Sequence, residues 1–192
     1  MQVARPKSNQ PIPKNAKKVF AGVVFDVYQW QQKMFDGSYK IFEKIKRVDT
    51  VHVIPVIDGK LFFAKQKQPG RKTYLSCIGG RVDKGESILK AAKRELLEES
   101  GLVAEELNLW HAEQPISKIE FAYYVFIAKG CKKIQKQNLD SGEKIELVSY
   151  TFDEFIKLTA DENFRSGEIS LKIYRTLSDK KMMARYRKMF LG

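Results

Sequence analysis

Gly79–Leu102 reads GGRVDKGESILKAAKRELLEESGL, and it decides the architecture around it. From Ser87 to Ser100 the stretch has helix-forming composition with no proline or glycine. Ser87 is placed to cap the N-terminus, and Gly101 stands where a left-handed glycine closes a helix. Glu95, Glu98 and Glu99 are spaced i, i+3, i+4, so their carboxylates crowd one face. Like charges at that spacing cost a helix about 0.2–0.5 kcal/mol per pair. A divalent cation would turn the cost into a gain, because Mg²⁺ prefers hard oxygen ligands and leaves room for water and phosphate. Gly79, Gly80 and Gly85 sit in the loop before the helix, where backbone can approach a metal or phosphate closely. A solvated face with an ordinary Arg94–Glu98 ion pair is the plain alternative.

Nine positions weigh against that alternative: Gly80, Glu86, Arg94, Glu95, Leu96, Glu98, Glu99, Gly101 and Leu102. Together they resemble the Nudix box, G-x5-E-x7-R-E-U-x-E-E-x-G-U with U aliphatic, without departure. A chance match anywhere in the chain is on the order of one in 10⁸. The resemblance implies a Mg²⁺-dependent hydrolase, with Mn²⁺ as an alternative ion, that cleaves a diphosphate linked to another group. It implies metal ligation by Glu95, Glu98 and Glu99, assisted by Glu86 and the Gly80 carbonyl. It gives Glu98 a catalytic part and Arg94 the structural role of orienting a glutamate. The implied fold is an α/β/α sandwich around a mixed β-sheet.

Two further segments resemble the ADP-ribose and nucleotide-sugar pyrophosphatase branch of that family. FEKIKR (residues 42–47) is similar to a strand whose aromatic, glutamate and arginine hold base and phosphate, here Phe42, Glu43 and Arg47. The second is DSGEKIE (residues 140–146). The branch often carries its general base on this loop, which makes Glu143 the first choice and Glu146 the second, with a glutamate of the box itself as the remaining alternative. Gly142 gives the loop the mobility to close over substrate. Arg71 stands where the branch has a substrate-binding arginine. Ile78 stands where the branch usually has proline, and Ser117 where ADP-ribose enzymes often do. Hydrolysis of nucleoside triphosphates, dinucleoside polyphosphates or RNA caps is the alternative activity. A nucleotide sensor without turnover is the alternative of another class.

Composition bounds the rest. The chain has 192 residues, 43% of them hydrophobic, enough for one principal core. Its longest apolar run, residues 121–128, is far short of a membrane span. Net charge is +12, which favours polyanionic partners. Without a nucleic-acid motif, a nucleoside diphosphate compound is expected rather than nucleic acid. Cys77 and Cys131 read as free thiols in a reducing, cytoplasmic setting. With His52 and His111 as the only histidines, neither zinc nor a histidine triad is expected.

Three regions are expected: a flexible basic N-terminus over 1–17, a β-hairpin over 18–48, and the catalytic domain with C-terminal helices over 49–192. The hairpin is read as residues 19–33 and 39–47. It has little apolar mass of its own and must pack on the domain or on a second subunit. A homodimer is implied by the branch resemblance. The remaining expected strands are 51–57, 61–66, 74–78, 107–111, 120–128 and 146–152. Helices are expected over 153–160, 168–177 and 179–190, the first capped by Asp153.

Overall fold

The structure is a computed structural model and describes residues 3–192. Three antiparallel strands come first: β1 (Lys17–Ala21), β2 (Asp26–Lys33) and β3 (Tyr39–Lys46). The single strand expected over 19–33 is thus two. Gly22 N donates to Phe25 O at 2.9 Å, closing a turn that folds β1 back onto β2.

β4 (Thr50–Ile57) and β5 (Lys60–Lys67) form a hairpin through Asp58 and Gly59, at φ 48° and 71°. Both central residues at positive φ match the right-handed twist of the strands, as Asp-Gly predicts. Next come β6 (Tyr74–Ser76), α1 (Ile88–Ser100), β7 (Leu102–Val103), β8 (Glu106–Glu113), β9 (Ile119–Glu120) and β10 (Tyr123–Lys129). The chain ends with β11 (Lys132–Lys133), β12 (Lys144–Tyr150), α2 (Phe152–Leu158), α3 (Gly167–Thr176) and α4 (Lys180–Leu191).

The main sheet runs β12-β5-β4-β10-β8, with β6 on β5. Only β4 and β10 are parallel, so it is mixed. β10 is an interior strand and is apolar on both faces. Tyr124 and Phe126 share one core with Val51, Val53 and the α1 residues Ala91, Ala92 and Leu96. Tyr123, Val125 and Ile127 share the other with Phe155, Ile169, Ile173, Tyr186 and Phe190 of α2–α4. Helices on both faces of one mixed sheet give the expected sandwich.

The strand expected over 120–128 is broken at Phe121–Ala122. Its first part, β9, lies parallel to β3 in a separate four-stranded sheet, while β10 joins the main one. Asp49 holds the crossing, its Oδ1 accepting from Ala122 N at 2.8 Å. Thr151, not Asp153, caps α2. Its hydroxyl accepts from Glu154 N at 3.3 Å and Glu154 Oε2 accepts from Thr151 N at 2.8 Å, a reciprocal capping box.

The segment expected as a loose tail makes specific contacts from Arg5 onward. Arg5 grips Asp49 with two bonds of 2.9 and 3.0 Å and reaches Glu120 at 3.2 Å. The buried Lys44 ammonium donates to Glu120, Ser8 Oγ and the Gln10 carbonyl, at 2.7, 3.0 and 2.6 Å. Burying that charge is tolerable only because three acceptors replace its water. Both cysteines are free, Cys77 buried and Cys131 half-buried. Among the described residues no helix is long and apolar enough to cross a membrane.

Candidate active site

Local chemistry sets the helix that carries the acids. Ser87 Oγ accepts from Lys90 N at 3.3 Å, and Gly101 closes the helix at φ 72°. The preceding loop passes so close that a Cβ on Gly80 would lie 2.5 Å from Glu95 Oε1. Gly79, at φ 143°, donates its N–H to Glu99 Oε2 at 2.8 Å. The Gly80 carbonyl accepts from Val51 N at 2.9 Å, which uses one of its two lone pairs.

Arg94 organises the acids. Its Nε and Nη2 donate to the two oxygens of Glu86 at 3.1 and 3.0 Å. Nη1 donates to Glu95 Oε1 at 2.8 Å and Glu98 Oε2 at 3.0 Å, and Nη2 also holds the Arg81 carbonyl at 2.9 Å. The Arg94 hydrogen bonds hold the Glu86 carboxyl below its usual range. Burial pushes Glu95 up against the opposing pull of Arg94. Glu99 lies farther from Arg94's reach. Burial drives it up to about 8, with Glu95, Glu143 and Glu98 adding repulsion.

Among the described residues no three His, Cys, Asp or Glu side chains already converge as a metal cage. Arg94 draws one oxygen each of Glu95 and Glu98 toward itself. Among the described residues, Glu95 Oε2, Glu98 Oε1 and Glu99 Oε1 receive no hydrogen bond. Hard oxygen donors crowded until one of them resists ionising fit a divalent cation.

Glu99 also sets a stability test. Its folded-state value of about 8 lies above the 4.5 of an exposed side chain. The folded chain therefore holds the extra proton between those values. Its stability contribution is full below the lower value and is lost as pH rises through the upper one. In chelator, the melting temperature of the wild type is expected to fall from pH 5 to pH 8 by at least about 5 °C more than that of Glu99→Gln. Parallel melting curves for the two proteins would remove Glu99 from the strained cluster.

The acids line a pocket of about 610 Å³. Glu95, Glu98, Glu99 and Glu143 are among its lining residues, and so are Arg71, Arg81 and Arg165. Glu143 follows a turn closed by its own N–H on Asp140 O at 2.9 Å, and Gln68 Nε2 approaches its carboxylate at 3.4 Å. Glu146 is not in the pocket. It pairs with Lys65 at 3.1 Å, both side chains largely exposed.

Phe42, Glu43 and Arg47 do not line the pocket of their own chain. Phe42 packs on Trp30, centroids 6.0 Å apart, with the Lys118 ammonium 5.2 Å from its ring. Glu43 accepts from Gln29 Nε2 at 2.7 Å. Arg47 donates to Thr50 Oγ1 at 3.0 Å and stacks on Phe121. Burial, with Arg81 nearby, pushes the Arg47 guanidinium down.

Sequence reading missed Arg81, Arg165 and Ser166. Arg81 adjoins the glycine loop, which is a legible signal. Arg165 and Ser166 arrive from the α2–α3 connection, which no local pattern marks. That connection is pinned by Leu75 N to Asn163 O at 2.9 Å and Arg165 N to Leu75 O at 2.7 Å. Cys77 N donates to Ser166 Oγ at 3.1 Å. His52 also lines the pocket, and burial lowers it to about 4, so its imidazole is neutral at pH 7.

Comparison with known proteins agrees with this geometry. The NUDIX domain model matches residues 46–171. The ADP-ribose pyrophosphatase of Bacillus subtilis (strain 168) is 31% identical over 147 residues, covering 74% of this chain and 79% of that protein. The ADP compounds hydrolase NudE of Escherichia coli (strain K12) is 29% identical over 167 residues, covering 82% and 87%. A crystal structure of an ADP compounds hydrolase superposes with a TM-score of 0.70 over 92% of this chain and 96% of that one. At 19% identity, that likeness is one of fold. With the family match spanning well over half of its length, the chain belongs to the NUDIX domain family.

Proposed function

We propose that this Nudix hydrolase cleaves the diphosphate of a nucleoside diphosphate linked to a sugar, ADP-ribose or a compound like it. One observation carries the reading: a single pocket joins the carboxylates Glu95, Glu98 and Glu99 to the cations Arg71, Arg81 and Arg165, with Glu143 also on its wall. The names of the two relatives point to the same substrate class. Glu95, Glu98 and Glu99, with help from Glu86 and the Gly80 carbonyl, would hold a Mg²⁺ or Mn²⁺, which would supply Lewis-acid charge and lower the pKa of a bound water.

The chain's own groups do the remainder. Arg71, Arg81 and Arg165 grip the non-bridging oxygens and hold the diphosphate against the carboxylate wall. Glu143 accepts the proton of the water that attacks one phosphorus, and the other phosphate departs. Arg94 orients Glu86, Glu95 and Glu98 without touching substrate. The products are a nucleoside monophosphate and a sugar phosphate.

Phe42, Glu43 and Arg47 contribute to base binding across a homodimer, each strand β3 serving the partner's pocket. This is supported by their position outside their own pocket and by exposed apolar residues on the same sheet, Val19, Phe20, Tyr39 and Ile41 among them. Light scattering at a monomer mass of 22.2 kDa, without doubling, would refute the dimer. The two free thiols suit a reducing, cytoplasmic setting, which cell fractionation checks.

The function test is product release in Mg²⁺ from ADP-ribose, other diphosphate sugars, NADH, dinucleoside polyphosphates, dGTP and capped RNA. Preferential release of a monophosphate from one diphosphate sugar is expected. Turnover confined to triphosphates or caps would overturn the substrate class and leave the family chemistry standing.

A further inference from the structure

Beside the carboxylate pocket lies a second groove of about 700 Å³, between the β5–β6 loop and the turn leading into β12. Gln68, Arg71 and Glu143 line both, so the two adjoin. Lys67, Arg71, Lys72 and Lys144 line the groove, against Glu143 as its only acid. Among the described residues none of these four cations is paired with a carboxylate.

The β-ladder shows that this imbalance is local. Lys67 and Lys144 stand directly opposite each other across β5 and β12. Like charges so placed destabilise a strand pair. Two residues along on the same face, Lys65 stands opposite Glu146 and pairs with it at 3.1 Å. The sheet neutralises one cross-strand pair and leaves its neighbour uncompensated, at the wall of a cavity that adjoins the candidate catalytic pocket.

Resting on the hydrolase reading above, we infer that this groove is a phosphomonoester subsite, and that the preferred nucleoside diphosphate compound carries a further phosphate remote from the scissile diphosphate. A terminal phosphate brings close to two negative charges and three acceptor oxygens. Opposed lysine ammonium groups match it as point charges, and the Thr73 and Ser141 hydroxyls at the groove add donors. Arg71, at the junction of the two cavities, can span the diphosphate and the added group. The same chemistry could sit on the sugar beyond the diphosphate or on the nucleoside ribose.

The test compares ADP-ribose, ADP-ribose 1″-phosphate and ADP-ribose 2′-phosphate as substrates of the full chain and of the double variant K67Q/K144Q. In the wild type one phosphorylated compound is expected to exceed ADP-ribose in kcat/KM by about 10-fold or more, mainly through KM, the size of one strong charge-assisted contact. The position of the favoured phosphate says which end of the substrate enters the groove. In K67Q/K144Q the ratio should fall to near unity, and K67R/K144R should restore it. No preference in the wild type, or an unchanged ratio in K67Q/K144Q, overturns the subsite while the hydrolase reading stands. If none of the three is cleaved, the ADP-ribose form of the hydrolase reading fails instead. The subsite is then judged by calorimetric binding of the same compounds in EDTA, where equal affinities overturn it.

Discussion

Glu98→Gln is expected to lower kcat/KM for the diphosphate substrate by at least ~10³-fold while the protein stays folded, the range for loss of a principal electrostatic or acid–base group. Glu98 is the most exposed of the three helix carboxylates, its side chain 38% accessible at the pocket. One oxygen receives Arg94 at 3.0 Å, and among the described residues the other receives no donor. Glutamine keeps the shape and removes the charge. Arg94 retains Glu86, Glu95 and the Arg81 carbonyl, so α1 stays anchored. Steady-state kinetics on the purified, metal-supplemented variant, with melting as the control for folding, decides the matter. Near-normal turnover would sink the assignment of the carboxylate face as the metal site.

The second large effect is expected at Glu143→Gln, a fall in kcat of about 10²–10⁴-fold with little change in KM. Glu143 lines the pocket with Glu95 and Glu99. It is near enough to both that its charge adds to the upward push that burial exerts on them. Glu146→Gln is the matched control. Its exposed carboxylate is spent on Lys65 outside the pocket, and its loss should leave kcat within about twofold of wild type, as for most surface substitutions. A crippled Glu146→Gln beside an active Glu143→Gln would transfer the proton-accepting role and disqualify the pocket geometry as a guide.

Much of the site was legible because its encoding is local. Helix capping by Ser87 and Gly101 depends on residues within one turn. The carboxylate face follows from a period of 3.6 residues, and the Asp58–Gly59 hairpin from backbone preference. The choice between Glu143 and Glu146 was open on those terms. The fold sets the two apart: Glu146 pairs with Lys65 of β5, while Glu143 lies in the turn at the pocket.

The sequence by itself therefore determined the acid-bearing helix, its caps and the flanking glycine loop, since each rests on short-range geometry, while the layered α/β architecture followed from the family resemblance. Tertiary structure decided what depends on distant partners. It brought Arg165 and Ser166 beside Leu75 and Cys77, across roughly 90 residues of chain. It split the run at Phe121–Ala122 between two sheets, and it tied the basic N-terminal segment to Asp49 and Glu120 through Arg5. It also left Phe42 packed on Trp30, outside the pocket of its own chain. Such contacts form only when the whole core closes, because the entropy of joining distant segments is repaid by burial and ion pairing that no local window of sequence contains.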